Sequence, residues 1–138
     1  MAGQEHPFAS RGGLKLERAL EHFNIDVEDK IALDIGASTG GFTDCLLQKG
    51  AAKIYAVDVG YGQLDWKLRK DSRVICLDRM NARNLTREDL DDDPQLAVVD
   101  VSFISLRLIL PPLFEILKQK DDLIALVKPQ FEVGKEEV

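Results

Sequence analysis

The chain has 138 residues, 45% of them hydrophobic and 30% charged, with a formal charge of −6 and a pI near 4.9. That is enough for one core without disulfide staples. The acidic balance argues against a free-standing nucleic-acid binder held by phosphate neutralisation, but not against a catalytic domain brought to RNA by another module. Cys45 and Cys76, the two cysteines, lie in apolar segments and read as reduced core residues. No apolar run approaches the ~18 residues of a membrane span, and the N-terminus is no signal peptide, so a cytoplasmic protein is the simplest expectation.

Residues 1–7 read as a tail or cut linker. Leu16, Ala19, Leu20 and Phe23 recur at helical spacing and predict a helix over 13–23, capped by Ser10. Lys15 falls on its first turn, off the apolar stripe. Short, nearly unbroken apolar runs predict strands at 30–34, 53–58, 73–77, 96–100 and 122–127, as expected of parallel strands covered on both faces. Phe42, Leu46 and Leu47 mark a helix ending near Gly50, and 64–69 a short one. Thr86 with Asp89 resembles a capping box, and 91–94 reads as a solvated acidic loop. The helical pattern over 105–118 contains Pro111 and Pro112, so one turn, a break and a new helix at the prolines are expected. This alternation predicts an α/β fold with a doubly wound, mainly parallel sheet.

The first strand runs into Gly36-Ala37-Ser38-Thr39-Gly40-Gly41-Phe42, and Asp58 ends the second strand roughly 20 residues further on. Such an arrangement suits an adenosine-containing cofactor, with Asp58 accepting hydrogen bonds from ribose hydroxyls. The loop is not G-x-G-x-x-G, which weighs against NAD, and no G-K-[ST] follows to grip a phosphate chain. Asp34 and Asp58 would repel a pyrophosphate but suit a cationic ligand, and S-adenosylmethionine carries a sulfonium and an ammonium.

The carboxyl ends of the remaining strands add Asp78, Asp100 and Lys128. Asp78 either meets the adenine amino group or forms a salt bridge with Arg79. Lys128 follows a buried-looking run and precedes Pro129; it is either one half of a structural ion pair with Asp100 or a base. Asp100-Val101-Ser102-Phe103 is not the [DN]-P-P-[YF] of amine methylation, and no cysteine follows strand four as a carbon nucleophile. An Asp–Lys pair suits a hydroxyl acceptor. An unperturbed lysine is neutral in roughly one molecule in 2,500 at pH 7, and burial or a nearby cation lowers its pKa. Lys15 either is that cation or holds an RNA phosphate. Gly60-Tyr61-Gly62-Gln63 follows the ribose acid and either wraps the adenosine or, for Tyr61, packs on the surface. Arg11 and Arg83 are candidate RNA contacts against a default of solvation, and Trp66 and Phe103 read as core or rim packing.

Five blocks in order carry a family resemblance: residues 10–16, 36–44, 57–64, 100–106 and 127–132. They closely resemble the TlyA-type (hemolysin A) methyltransferases, which belong with the FtsJ-like ribosomal RNA 2′-O-methyltransferases. The resemblance covers 8–138 and implies a Rossmann-like S-adenosylmethionine-dependent enzyme acting on ribose 2′-hydroxyls of ribosomal RNA, cytidines in particular. It implies a Lys-Asp-Lys-Glu tetrad whose first three members map to Lys15, Asp100 and Lys128: Lys128 the base, Asp100 its orienting acid, Lys15 the assisting cation. The glutamate belongs to a later strand, which the sequence lacks, and the family's small basic RNA-binding domain would precede Phe8. The sequence therefore reads as a partial methyltransferase domain, weak or inactive alone, with no metal or membrane partner. The family's other name keeps a cytolysin as a rival, and a non-catalytic S-adenosylmethionine-binding domain as a third reading.

Overall fold

A computed structural model describes residues 12–128. Five strands form one parallel sheet: β1 (Ile31–Ile35), β2 (Lys53–Val57), β3 (Val74–Leu77), β4 (Leu96–Ser102) and β5 (Asp122–Lys128), in the order β3-β2-β1-β4-β5. Side chains alternate between two cores. Ala32, Ile54, Ala56, Leu96 and Val98 pack under α1 (Gly12–His22), α2 (Gly41–Gln48) and α3 (Trp66–Arg69). Leu33, Ile35, Tyr55, Val57, Ala97 and Val99 pack under α4 (Phe103–Ile116) and under Ala82, Leu85 and Leu90, in and beside two short 3₁₀ turns, Ala82–Asn84 and Arg87–Asp89. Covering both faces is what allows such uniformly apolar strands.

The chain winds outward from β1 to β3, then returns to lay β4 on the other side of β1. That reversal opens a crevice beyond the carboxyl ends of β1 and β4, the usual ligand position in open parallel sheets. Thr86 and Asp89 form the expected capping box, with the Thr86 N–H 2.9 Å from Asp89 Oδ2. Cys45 is buried and Cys76 half-buried, both as free thiols.

Two expectations fail for local reasons. Phe23 is not on the buried stripe of α1: the helix ends at His22, Asn24 turns the chain at φ 56°, and the Phe23 ring is 62% exposed. Nor do the prolines break α4, which runs through Pro111 and Pro112. The two lost amide donors would have served the carbonyls of Arg107 and Leu108, both exposed residues, while Ile109, Leu113 and Ile116 anchor the buried side of the helix. Ser10 and Arg11 lie outside the described residues.

Candidate active site

The loop after β1 is shaped by backbone positions that few residues tolerate. Gly36 takes φ +77°, and its N–H and that of Ala37 both donate to the Val57 carbonyl, at 2.9 and 3.1 Å. A Cβ on Gly36 would stand 3.2 Å from the Asp100 carbonyl, so the loop and β4 meet backbone to backbone. Gly40, at φ +109°, leaves room for the Leu64 and Leu68 side chains; a Cβ would fall 2.3 Å from Leu68 Cδ1. Thr39 accepts from the Asp65 N–H at 3.0 Å, tying the start of α3 to the same loop.

Asp58 stands just past β2 and fastens this arrangement. Its Oδ2 accepts from the Ser38 N–H at 2.5 Å and its Oδ1 from the Gly60 N–H at 2.9 Å. Gln63 packs its amide over Gly60, where a Cβ would meet it at 2.6 Å. Asp34 is wholly buried in the middle of β1; Oδ2 accepts from Thr43 Oγ1 at 2.6 Å, and buried Oδ1 has no hydrogen-bond partner. Burial, opposed by the Thr43 hydrogen bond and reinforced by the nearby Asp100 and Asp58 charges, pushes its pKa up to about 7.

Two cavities open on either side of Gly36. The larger, about 310 Å³, lies between Asp58 and α4 and includes Val57, Asn81, Arg83, Ser105 and Leu108 in its wall. The smaller, about 200 Å³, is walled by the glycine loop from Gly36 to Phe42, by Lys15 and Gly12 of α1, and by Asp100 of β4. The structure thus brings Lys15, Asp100 and the loop residues Gly36, Ala37, Ser38, Thr39, Gly41 and Phe42 to one place, with Lys15 exposed and its neighbours Leu16 and Leu20 in the core.

Lys128 ends β5, paired in register with Ser102 while Asp100 pairs with Leu126, so these two residues are on adjacent strands as expected. Its side chain, like Arg11, lies outside the described residues. Asp78 is outside the walls of both cavities; its Oδ2 pairs with Arg69 at 2.8 Å. The expected alternative partner, Arg79, lies instead over the Tyr61 ring, 4.7 Å from its centroid. Met80, Asn81 and Leu108 also line the larger cavity, and no motif in the sequence marks them. Asn81 could have been found as a capping residue: its side chain accepts from the Arg83 N–H, opening the 3₁₀ turn that forms the cavity floor. Trp66 is in neither core and is 61% exposed.

Residues 8–138 match the family model described as FtsJ-like methyltransferase. The chain belongs to the FtsJ-like methyltransferase family. Among curated relatives, "Putative rRNA methyltransferase YqxC" of Bacillus subtilis is 60% identical over 95% of this chain and 47% of its own length. The 16S/23S rRNA (cytidine-2′-O)-methyltransferase TlyA of Mycobacterium tuberculosis is 54% identical over 97% of this chain and 50% of its own. A solved structure, "Putative hemolysin from Streptococcus thermophilus", superposes with a TM-score of 0.88 at 56% identity, over 97% of this chain and 49% of that one. This FtsJ-like methyltransferase chain spans about half the length of the relatives it matches. Among its described residues no helix is long and apolar enough to cross a membrane, and no group of three or more His, Cys, Asp and Glu could hold a metal ion.

Proposed function

We infer that this domain binds S-adenosylmethionine across the carboxyl ends of β1, β2 and β4 and methylates a ribose 2′-hydroxyl of ribosomal RNA, with a cytidine as the target base. The observation that carries this reading is the smaller cavity. Lys15 from the first helix and Asp100 from the fourth strand share it with the glycine loop. A lysine and a carboxylate beside a nucleoside-binding loop suit transfer to a hydroxyl.

The residues present fit the cofactor. Asp58 and Asp100 make the crevice acidic, which favours a cationic ligand, and positive charge there would favour the charged form of the buried Asp34 behind it, whose Oδ1 is unsatisfied. Gly36 and Gly40 let the loop turn at positive φ and lie tight against β4, Leu64 and Leu68, which sets its backbone at the edge of the crevice. When bound, the cofactor supplies an electrophilic methyl on its sulfonium. Asp58 accepts from the ribose hydroxyls, and the larger cavity, with its apolar wall and Asn81, receives the adenine; Gln63 steadies the loop beneath, and Asp78 holds the β3 end through Arg69.

On the acceptor side, Lys128 takes the proton from the 2′-hydroxyl. Lys15 disfavours a second ammonium and so favours the neutral, proton-accepting form of Lys128, and Asp100 orients it. Arg83 and Arg11 contact RNA phosphates. A chain of net charge −6 supplies little affinity for a polyanion, so a basic module outside these residues brings the RNA in the full-length protein, and the tetrad's glutamate comes from a later strand.

The test is methyl transfer to ribosomal subunits by the full-length protein. Lys128→Ala and Asp100→Ala are each expected to cut turnover by roughly 10²–10⁴-fold while S-adenosylmethionine still binds in calorimetry. Turnover that survives both substitutions would exclude the proposed base and its acid. Binding of NAD alone would exclude the cofactor, and haemolysis undiminished in Lys128→Ala would favour the cytolysin.

A further inference from the structure

The acidity of the chain is unevenly spread. Between Trp66 and Arg87 stand seven lysines and arginines against two aspartates, a local charge of +5 within a chain of −6. Arg69 and Arg73 are neutralised at 2.8 Å by Asp78 and Asp71, and Arg87 donates to the carbonyls of Glu115 and Ile116. Lys67, Lys70, Arg79 and Arg83 are exposed and have no carboxylate partner among the described residues. The Lys70 ammonium sits 4.0 Å from the centroid of the Trp66 ring, which is 61% exposed. This is the sole tryptophan of the chain, and burying it would have stabilised the fold.

Its place is tied to the candidate active site. Trp66 opens α3 directly after Asp65, whose N–H donates to Thr39 of the glycine loop. Leu64 and Leu68 on either side of it are buried against that loop, at Gly40. The indole therefore stands on the rim of the cofactor loop, with its flanking residues fixed from below and lysines at positions 67 and 70.

We propose that the Trp66–Lys70 rim is a contact for single-stranded RNA, where a base outside the reacting nucleotide stacks on the Trp66 indole while Lys67 and Lys70 meet neighbouring phosphates. This rests on the reading of the domain as an RNA methyltransferase. An exposed aromatic face backed by a cation, in a basic zone of an otherwise acidic surface, matches how single strands are held: the ring takes any base, and the lysines follow the backbone. The rim positions the substrate and takes no part in chemistry.

The experiment uses the full-length protein with a ribosomal RNA substrate and reads KM for RNA, kcat and S-adenosylmethionine affinity separately. Trp66→Ala is expected to raise KM about fivefold or more with kcat and cofactor affinity unchanged, and Trp66→Phe to recover most of the loss. Lys67→Ala with Lys70→Ala should flatten the dependence of log affinity on log salt by about 1. An unchanged KM and salt slope would overturn the contact, as would a fall in cofactor affinity for Trp66→Ala, which would mark a packing role. Filter binding of a single-stranded oligoribonucleotide keeps the two readings apart. Weakening by Trp66→Ala there supports the contact even if the wild type methylates no RNA, a result that would overturn the functional reading alone.

Discussion

The two cavities that meet at Gly36 are built from opposite materials. The larger has mostly apolar walls from β2 and α4, with Asp58 at one side, and suits a flat, weakly polar group. The smaller is lined by the polar glycine loop, a lysine and a carboxylate, and suits charge and proton transfer. One glycine, Gly36, stands in the wall of both. β2, α4 and the residues after β3 serve one side and α1 the other, while β4 and the loop after β1 line both.

The largest effect should come from closing both at once. Gly36→Val places a β-branched residue at φ +77° with its Cβ 3.2 Å from the Asp100 carbonyl. Cofactor affinity and turnover are both expected to fall by more than about 100-fold. Loss of turnover alone would show that the cavities are less connected than their shared wall implies.

Asp34 gives the next largest effect, seen in stability. Its folded pKa is raised from 3.8 to about 7, so the native state holds a proton that the unfolded chain releases. Stability from this group is full below about pH 4 and is lost as pH rises to about 7, a change on the order of 4 kcal/mol. Denaturant titrations of the cofactor-free protein from pH 4 to pH 8 should show that slope, and Asp34→Asn should flatten it. In the same variant, cofactor affinity should fall at pH 8, where the wild-type carboxylate is charged.

Asp58→Ala should act on cofactor binding, through the larger cavity it lines and the loop amides it holds. It removes the acceptor for the Ser38 and Gly60 amides, and the cofactor dissociation constant is expected to rise roughly 10- to 100-fold. At saturating cofactor, turnover should stay within a few-fold of wild type. Arg83→Ala, at the exposed lip of that cavity, should be smallest: about a two- to fivefold rise in KM for RNA with cofactor affinity unchanged.

How far the sequence reveals this site differs from residue to residue. Asp58 was readable because an acid closes the second apolar run roughly 20 residues after the glycine loop, and the register of β1 with β2 brings it to the Ser38 amide. Lys15 is readable as an unburied position on an amphipathic helix, but nothing in the period of α1 says that this helix leans over the β1 loop. Asp78 illustrates the converse. Its neighbour in sequence, Arg79, was the obvious partner, yet the turn at φ 56° carries that guanidinium to Tyr61 and leaves Asp78 to Arg69 from α3. The prolines of α4 and the ring of Phe23 misled for the same reason. Local rules state what a residue prefers, and neighbours in space decide whether the preference is met.

By itself, then, the order of residues determined the parallel sheet, the glycine loop and the list of acids and lysines at the strand ends, because strand period, turn chemistry and apolar runs are local properties. Only the tertiary structure decided that Gly36 divides two cavities, that Lys15 and Asp100 share one of them, that Asp34 is buried with an unsatisfied oxygen, and that Trp66 faces solvent beneath a lysine. Each of these depends on how far apart two segments lie after the sheet has twisted and the helices have docked, and that distance is set by packing between residues far apart in the chain.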